Sequence, residues 1–427
     1  MTNILVASAI FITCFIFFIF GKPHRAIVAM VGAVAMMIAG MSLGFYTQEE
    51  ALKAIDFNTI GLLAGMMVIV GVLRETGFFR YLAIKVAKLA KGDPWKLLLF
   101  LGLLTAFISM LIDNVTTILL VAPVTMLMSD ILGINPLPIL LAEVLLSNVG
   151  GVGTLVGDPP NIMIGSAAGF SFNSFVIHLM PVVLLVMGIS LLLLRFIHRK
   201  ALADRSKNIE RVVQMRAEEA VKDKKTLAKC LLALGVVLVL FILEARLNLK
   251  TAFIAFLGAA FTLAMVRPDL KKTFNQVEWP VLVFFLGLFI IVGGLDKTGV
   301  LRMLGQQLAL FSYNPILITL VIIWVSVITS SFVDNIPYTA AMIPVIRHIA
   351  ATGMNTSPLW WGLALGAGFG GNGTPIGSAA GLVIMSLSEK SARPITFGNW
   401  LKSGVTVTLV GGGVASLIMA VFFGWFQ

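Results

Sequence analysis

Two short motifs place ion chemistry where lipid disfavours it. Asp113-Asn114-Val115 and Asp334-Asn335-Ile336 lie inside apolar sequence, each followed by hydroxyls, Thr116 and Thr117 in the first and Tyr338 and Thr339 in the second. A carboxylate at the centre of a spanning helix costs about 2.5–3.5 kcal/mol, so an acid kept there needs a partner or a task. Two carboxylates among amide and hydroxyl groups can exchange a proton or hold a small cation. Their matching positions predict that they face each other near the middle of the bilayer.

A second pair of motifs interrupts helices. Gly150-Gly151-Val152-Gly153-Thr154 leads into Gly157-Asp158-Pro159-Pro160-Asn161, and a glycine-rich run from Gly366 to Gly377 carries Asn372 and Thr374 and ends at Ser378. Adjacent prolines remove backbone donors and glycines favour unwinding. Non-helical backbone at membrane depth persists only where protein buries it or a wet cavity receives it. Paired interruptions in two halves of a chain mark a transporter's binding site. Glycines that merely let helices approach give a small-xxx-small pattern, which Asp-Pro-Pro-Asn is not. The candidate coupling residues are Asp113 and Asp334. The candidate solute ligands are Asn114, Thr117, Thr154, Asp158, Asn161, Asn335, Thr339, Asn372, Thr374 and Ser378. Glu143 reads equally as a cavity residue and as a helix end. His178, Trp360, Trp361 and Trp400 read as interfacial residues near span ends.

The elements that must position these groups are membrane helices. Of 427 residues 59% are hydrophobic and 12% are charged, about half the roughly 25% that covers a soluble domain. Apolar blocks at 4–20, 26–43, 57–73, 175–194, 231–243, 280–292 and 403–426 are mostly near the ~20 residues that span a bilayer. A soluble enzyme, a nucleic-acid binder and a secreted scaffold are excluded. The net charge of +11 sits in the loops, which is a topology signal and predicts no nucleic-acid partner. Cys14 and Cys230 lie in separate apolar blocks with no metal-ligand spacing, so neither a metal nor a disulfide framework is expected. The stretch before the first block carries no positive charge, and the block reads as a first span instead of a cleaved signal.

The chain repeats itself. Arg74-Glu75-Thr76-Gly77 matches Asp296-Lys297-Thr298-Gly299, Asp113-Asn114 matches Asp334-Asn335, and Gly151 through Gly157 matches Gly371 through Gly377, all at an offset of about 220 residues. The expected organisation is a first repeat over 1–197, a cytoplasmic basic linker over 198–229 and a second repeat over 230–427. Each repeat is expected to hold a re-entrant hairpin (about 97–130 and 315–350) and a broken helix (about 137–167 and 358–389). The 21–25 turn and the 74–96 and 195–229 loops are basic while 44–56 is net acidic, which puts the N-terminus outside and the central loop in the cytoplasm. Both basic loops that flank 97–194 must then be inside, and the second repeat comes out inverted. The expected fold is an all-α polytopic membrane protein of inverted-topology repeats, with about ten spans, two hairpins and two broken helices. Residues 77–91 read as a short amphipathic helix at the interface.

These motifs resemble the ion transporter superfamily, which holds ArsB-type arsenite exporters, sodium/proton antiporters, the melanosomal P protein and dicarboxylate and citrate carriers. The likeness rests on the glycine run through Asn161, on the two Asp-Asn tips and on Gly373-Thr374-Pro375-Ile376-Gly377-Ser378, and it covers nearly the whole chain. It implies a scaffold of outer spans, a moving transport domain of hairpins and broken helices, elevator-type motion and commonly a homodimer. Dicarboxylate carriers have Ser-Asn-Thr at each tip, where this chain has Asp-Asn-Val and Asp-Asn-Ile. Carboxylates at the tips repel a dianion at low effective dielectric, and suit a proton, a cation or a neutral polyhydroxy solute.

The reading is a secondary active transporter of the bacterial inner membrane: no phosphate-loop motif is present, so it is not itself ATP-driven, and no nucleophile–base constellation or metal-ligand spacing points to an enzyme. Proton-coupled antiport with efflux of arsenite or antimonite leads. Its expected partners are membrane lipid and a small inorganic solute, with a proton or sodium as coupling ion and no other cofactor. The alternatives are a sodium/proton antiporter, a sodium- or proton-coupled dicarboxylate or citrate carrier, and a solute channel served by a cytosolic ATPase subunit.

Overall fold

A computed structural model describes residues 1–21, 23–203, 216–309, 313–389, 391 and 393–427. Part of the expected basic linker, 204–215, lies outside the described residues, as does Lys22 of the first basic turn. The described chain is helical with no strand. The protein is all-α and polytopic in architecture. Among the described residues nine helices are long and apolar enough to cross a bilayer. That number differs from the ten spans expected because it includes two hairpin arms, Asn114–Leu132 and Pro315–Phe332, and omits Thr251–Val266 and the short halves of the broken helices.

The helices before and after the central loop correspond one to one. Thr2–Phe20, Arg25–Leu43, Gln48–Ala54, Phe57–Glu75 and Phe78–Leu89 recur as Lys224–Leu247, Thr251–Val266, Leu270–Asn275, Trp279–Lys297 and Val300–Ala309. The five that follow, Pro94–Ser109, Asn114–Leu132, Leu137–Gly151, Pro159–Ala168 and Phe172–Ile197, recur as Pro315–Phe332, Asn335–Ala350, Ser357–Gly370, Ala379–Ser388 and Phe397–Val421.

Packing sorts these helices into two groups. The first three long helices of each half pack mainly on one another and form a frame. Hairpins, broken helices and the closing helices pack together as a second group, the crossing bundle. Within the frame the halves exchange partners: Arg25–Leu43 lies on Trp279–Lys297, and Phe57–Glu75 lies on Thr251–Val266. Both contacts are made by glycine. A Cβ on Gly287 would stand 2.6 Å from the Ala29 carbonyl, and one on Gly65 would stand 2.7 Å from the Ala255 carbonyl carbon. Real Cβ atoms do not approach backbone that closely, so these two positions fix how near the helices come.

The register of these contacts also fixes direction. Ala29 meets Gly287 and Met36 meets Gly294, so that pair runs parallel. Gly65 meets Ala255 and Ile69 meets Gly258, so the other pair does too. One end of the frame therefore carries Arg25, Arg74 and Glu278, and the opposite end carries Glu50, Asp56 and Lys297. Apolar side chains cover the frame's outside, among them Ile12, Ile27, Val31, Ile38, Val239 and Phe256, a surface that only lipid suits.

Phe78–Leu89 forms a helix as its periodicity predicts, with Phe79, Ala83, Ile84 and Ala87 buried against the first hairpin. The tryptophans correct the sequence reading. Trp360, Trp361 and Trp400 are buried, Trp361 stacks on Phe170 and His178, and the Trp400 indole N–H donates to the Asn372 carbonyl at 2.9 Å. They pack the interior and are not interface anchors.

Candidate functional site

Both hairpins turn at their aspartates. Asp113 and Asp334 stand at the N-caps of the return arms Asn114–Leu132 and Asn335–Ala350: Asp113 accepts from the Thr116 backbone N–H at 2.9 Å, and Asp334 accepts from the Ile336 N–H at 3.0 Å. An aspartate before an apolar helix is a strong cap, a structural task that the sequence reading did not give them. Each cap leaves one carboxylate oxygen for other partners.

The broken helices turn at positions that differ in chemistry. Ser378 caps Ala379–Ser388 by accepting from the Gly381 N–H at 3.2 Å. Asp158 precedes Pro159–Ala168, and its side chain makes no cap bond. The reason is local: Pro159 and Pro160 have no N–H to offer, and the Asn161 N–H goes to the Asp158 backbone carbonyl at 2.9 Å. The Asp158 carboxylate turns instead to the opposite hairpin and accepts from the Asn335 amide at 3.0 Å. Glycine sets the approach of hairpin to broken helix, since a Cβ on Gly150 would lie 2.4 Å from the Ala106 carbonyl oxygen and one on Gly370 would lie 2.7 Å from that of Val327.

A chain of amides joins the two halves. The Asn114 amide donates to Asn148 Oδ1 at 2.8 Å, and the Asn148 amide donates to Asn372 Oδ1 at 2.8 Å and to Ser378 Oγ at 3.0 Å. Asn372 donates to the Leu145 carbonyl at 3.0 Å. Asn114, Asn148, Asp158, Asn335, Asn372 and Ser378 are all buried. Four helix N-termini thus meet at one polar crossing, and three of the four begin at an aspartate.

Several expected solute ligands face the backbone of the turns instead. Asn161 donates to the carbonyls of Gly151, Val152 and Thr154. Thr154 donates to the Met110 carbonyl, Thr374 to the Ser331 carbonyl at 2.5 Å and Thr117 to the Asp113 carbonyl at 2.9 Å. Each pins an unwound segment or a hairpin tip in place. Thr339 differs, for its hydroxyl is buried one turn behind Asn335 without a hydrogen-bond partner.

The two tip aspartates do not pair with each other. Asp334, with its side chain 2% exposed, meets the Arg25 guanidinium at 2.5 Å. Asp113 lines a cavity with Met66, Val70, Arg74, Thr116 and Glu278. Asp158 lies between the tips, within electrostatic reach of both. Each acid thus has a neighbour in the frame: Arg25 for Asp334, and Arg74 with Glu278 for Asp113.

Three residues of this site escaped the sequence reading. Asn148 has Gly368 at the equivalent place in the second half, so a search for repeated motifs passes over it. Arg25 and Glu278 sit at helix starts and read as loop charges. Glu143 is fully buried and its carboxylate takes the Thr125 hydroxyl, with the other oxygen unpartnered.

Comparison with known proteins agrees with this architecture. The chain is 39% identical over 421 residues to a 46 kDa membrane protein of Mycobacterium leprae, covering 97% of each. It is 30% identical to the human P protein over 99% of this chain and 61% of that one. The fold matches the YdaH transporter of Alcanivorax borkumensis with a TM-score of 0.65 at 13% identity, covering 94% of this chain and 99% of that one. The citrate transporter family model, CitMHS, matches residues 15–366. This chain is a membrane transporter that belongs to the CitMHS family.

Proposed function

We propose that the chain is a secondary active transporter working by proton-coupled antiport, with an uncharged oxyacid of the arsenite or antimonite class as its exported solute. One observation carries the reading. Helix N-termini bind anions through free N–H groups and the positive end of the dipole. At this crossing three of the four begin at an aspartate of their own, and the nearby Arg25 is engaged by Asp334. What remains is a set of amides and hydroxyls that both donate and accept, around carboxylates that can take a proton. Such a set suits a neutral hydroxylated solute and disfavours a di- or trianion.

In this mechanism the crossing bundle slides as a body against the frame, carrying Asn114, Asn148, Asn335, Asn372 and Ser378 with the solute. Asp113 and Asp334 exchange protons between the two faces. The basic loops put the central linker in the cytoplasm and the N-terminus outside. A citrate or dicarboxylate carrier is the second reading, favoured by the name of the family and by the uncharged Ser378 at the fourth helix start.

The test is a panel of arsenite, antimonite, sodium, citrate and succinate on purified protein in liposomes at imposed pH gradients. Arsenite or antimonite movement against a proton gradient, lost in Asp113→Asn while that protein stays folded, is expected. Proton-driven citrate flux with no arsenite flux, or full activity in Asp113→Asn, overturns the reading.

A further inference from the structure

Arg25 is oddly placed for its own helix. It is the first residue of Arg25–Leu43, where the helix dipole disfavours a cation. Its guanidinium reaches instead to Asp334, 309 residues away in sequence and on the other packing group. This ion pair crosses between frame and crossing bundle. The first tip touches the frame at the same end, since Asp113 lies beside Arg74 and Glu278.

That both tips meet one end of the frame is an asymmetry. Two halves related by an in-plane two-fold axis would place their tips at equal distances from the two ends. Here the bundle stands displaced toward the end marked by Arg25, Arg74 and Glu278. The opposite end of the frame faces the far part of the second hairpin arm: Glu50, Asp56 and Lys297 line a groove with Ile343, Pro344 and Arg347.

We propose that Arg25 is a latch that arrests the empty, deprotonated bundle at this end of the frame, and that it releases Asp334 only when a proton or a hydroxyl-bearing solute takes its place. The argument rests on the antiport reading above for the solute, and on electrostatics alone for the proton. A buried carboxylate cannot be left without a counter-charge or donor in a low-dielectric interior. As the bundle moves, Asp334 leaves Arg25, because the arginine belongs to the frame. Something must replace it. A proton neutralises the carboxylate, and a neutral hydroxylated solute supplies donors to it. An empty bundle has neither and stays, so exchange proceeds without slip. Against Asp334 stand Arg25 and Asp158, which is held by Asn335; His24, next to Arg25 in sequence, is turned back onto the Ala26 N–H. Arg25 is therefore a positioning residue for transport, acting through Asp334.

The test reads position without requiring transport. Spin labels on Leu52→Cys in the frame and Ala351→Cys at the base of the second hairpin, both exposed sites, with Cys14 and Cys230 replaced by Ala, report the distance between the two groups. In the full-length parent at high pH one distance is expected, and acidification brings in a second. Arg25→Gln is expected to admit the second distance already at high pH, moving the midpoint by at least one pH unit, about tenfold in proton concentration. Arg25→Lys keeps the parent's behaviour. The double variant Arg25→Gln/Asp334→Asn strands no charge and so guards against misfolding, and it should lose the parent's midpoint, with any pH dependence that remains belonging to Asp113. A parent midpoint left unchanged in both Arg25→Gln and the double variant overturns the latch. Arsenite added at high pH, as the probe, should also bring in the second distance in the parent. If the pH shift depends on Arg25 but arsenite has no effect, the latch stands and the solute reading falls.

Discussion

The two hairpin tips carry the same Asp-Asn pair, cap the same kind of helix, and meet different electrostatic company. Asp334 is buried against the Arg25 guanidinium, while Asp113 is only half-buried and shares a cavity with both Glu278 and Arg74. The amides diverge as well: Asn335 reaches the Asp158 carboxylate directly, whereas Asn114 reaches Ser378 only through Asn148. The frame tells the other story. Gly65 and Gly287 make nearly equal close approaches to Ala255 and Ala29. Duplication has kept the two halves alike where helices pack and let them differ where charges meet. The difference teaches that equivalence in sequence is a statement about backbone, and that the function of a carboxylate is set by what the other half of the molecule brings to it.

The strongest way to break this comparison is to remove the neighbours of the two acids. Arg25→Ala strands a buried carboxylate, a change that costs about 3–5 kcal/mol when the charge cannot escape. The loss should be largest near pH 8 and shrink toward pH 5, because protonation relieves the stranded charge. Glu278→Ala removes a like charge from beside Asp113, and should leave stability unchanged or slightly raised at both pH values. Unfolding of the two purified variants in detergent, followed by circular dichroism against denaturant, measures the pair. Equal losses would mean that the tips are electrostatically alike after all.

Much of this was legible from residue types and spacing. Lipid charges so heavily for acids and for open backbone that Asp113, Asp334 and the Asp-Pro-Pro-Asn turn were conspicuous, and the hairpin and break positions followed from them. What stayed hidden was pairing across the two halves. Arg25 adds to a basic turn in any count of loop charges, and nothing local to it points to a residue 309 positions away. Asn148 was hidden because its counterpart is Gly368, so the duplication that exposed the aspartates concealed it. Thr154, Asn161 and Thr374 look like ligands by type, yet an unwound segment has carbonyls of its own to satisfy, and these side chains serve them.

A milder perturbation sharpens the symmetric side. Gly65→Ala and Gly287→Ala each push a methyl into backbone of the partner helix, for which overpacking costs of about 1–3 kcal/mol are usual. The two losses should agree within about 0.5 kcal/mol, the limit to which independent sites are commonly resolved. A large inequality would show that the asymmetry of the tips extends into the frame.

The smallest effect is expected at an ion pair that resembles Arg25–Asp334 in distance and in nothing else. Lys297 and Glu50 meet at 2.7 Å at the opposite end of the frame, with side chains 48% and 33% exposed. The Lys297 hydrogen bond, helped by the Thr47 N–H, holds the Glu50 carboxyl below the usual glutamate range. A lowered value means that any stabilisation is present above the ordinary range and is lost as pH falls through the lowered one. Water and salt screen such a pair, and exposed pairs often contribute nothing measurable. Glu50→Gln should therefore leave the unfolding midpoint of the purified protein within error at pH 7, and equally so in high salt. A clear loss there, comparable to that of Arg25→Ala, would show that burial is not what separates the two pairs, and the contrast between tip and surface would have to be rebuilt on geometry alone.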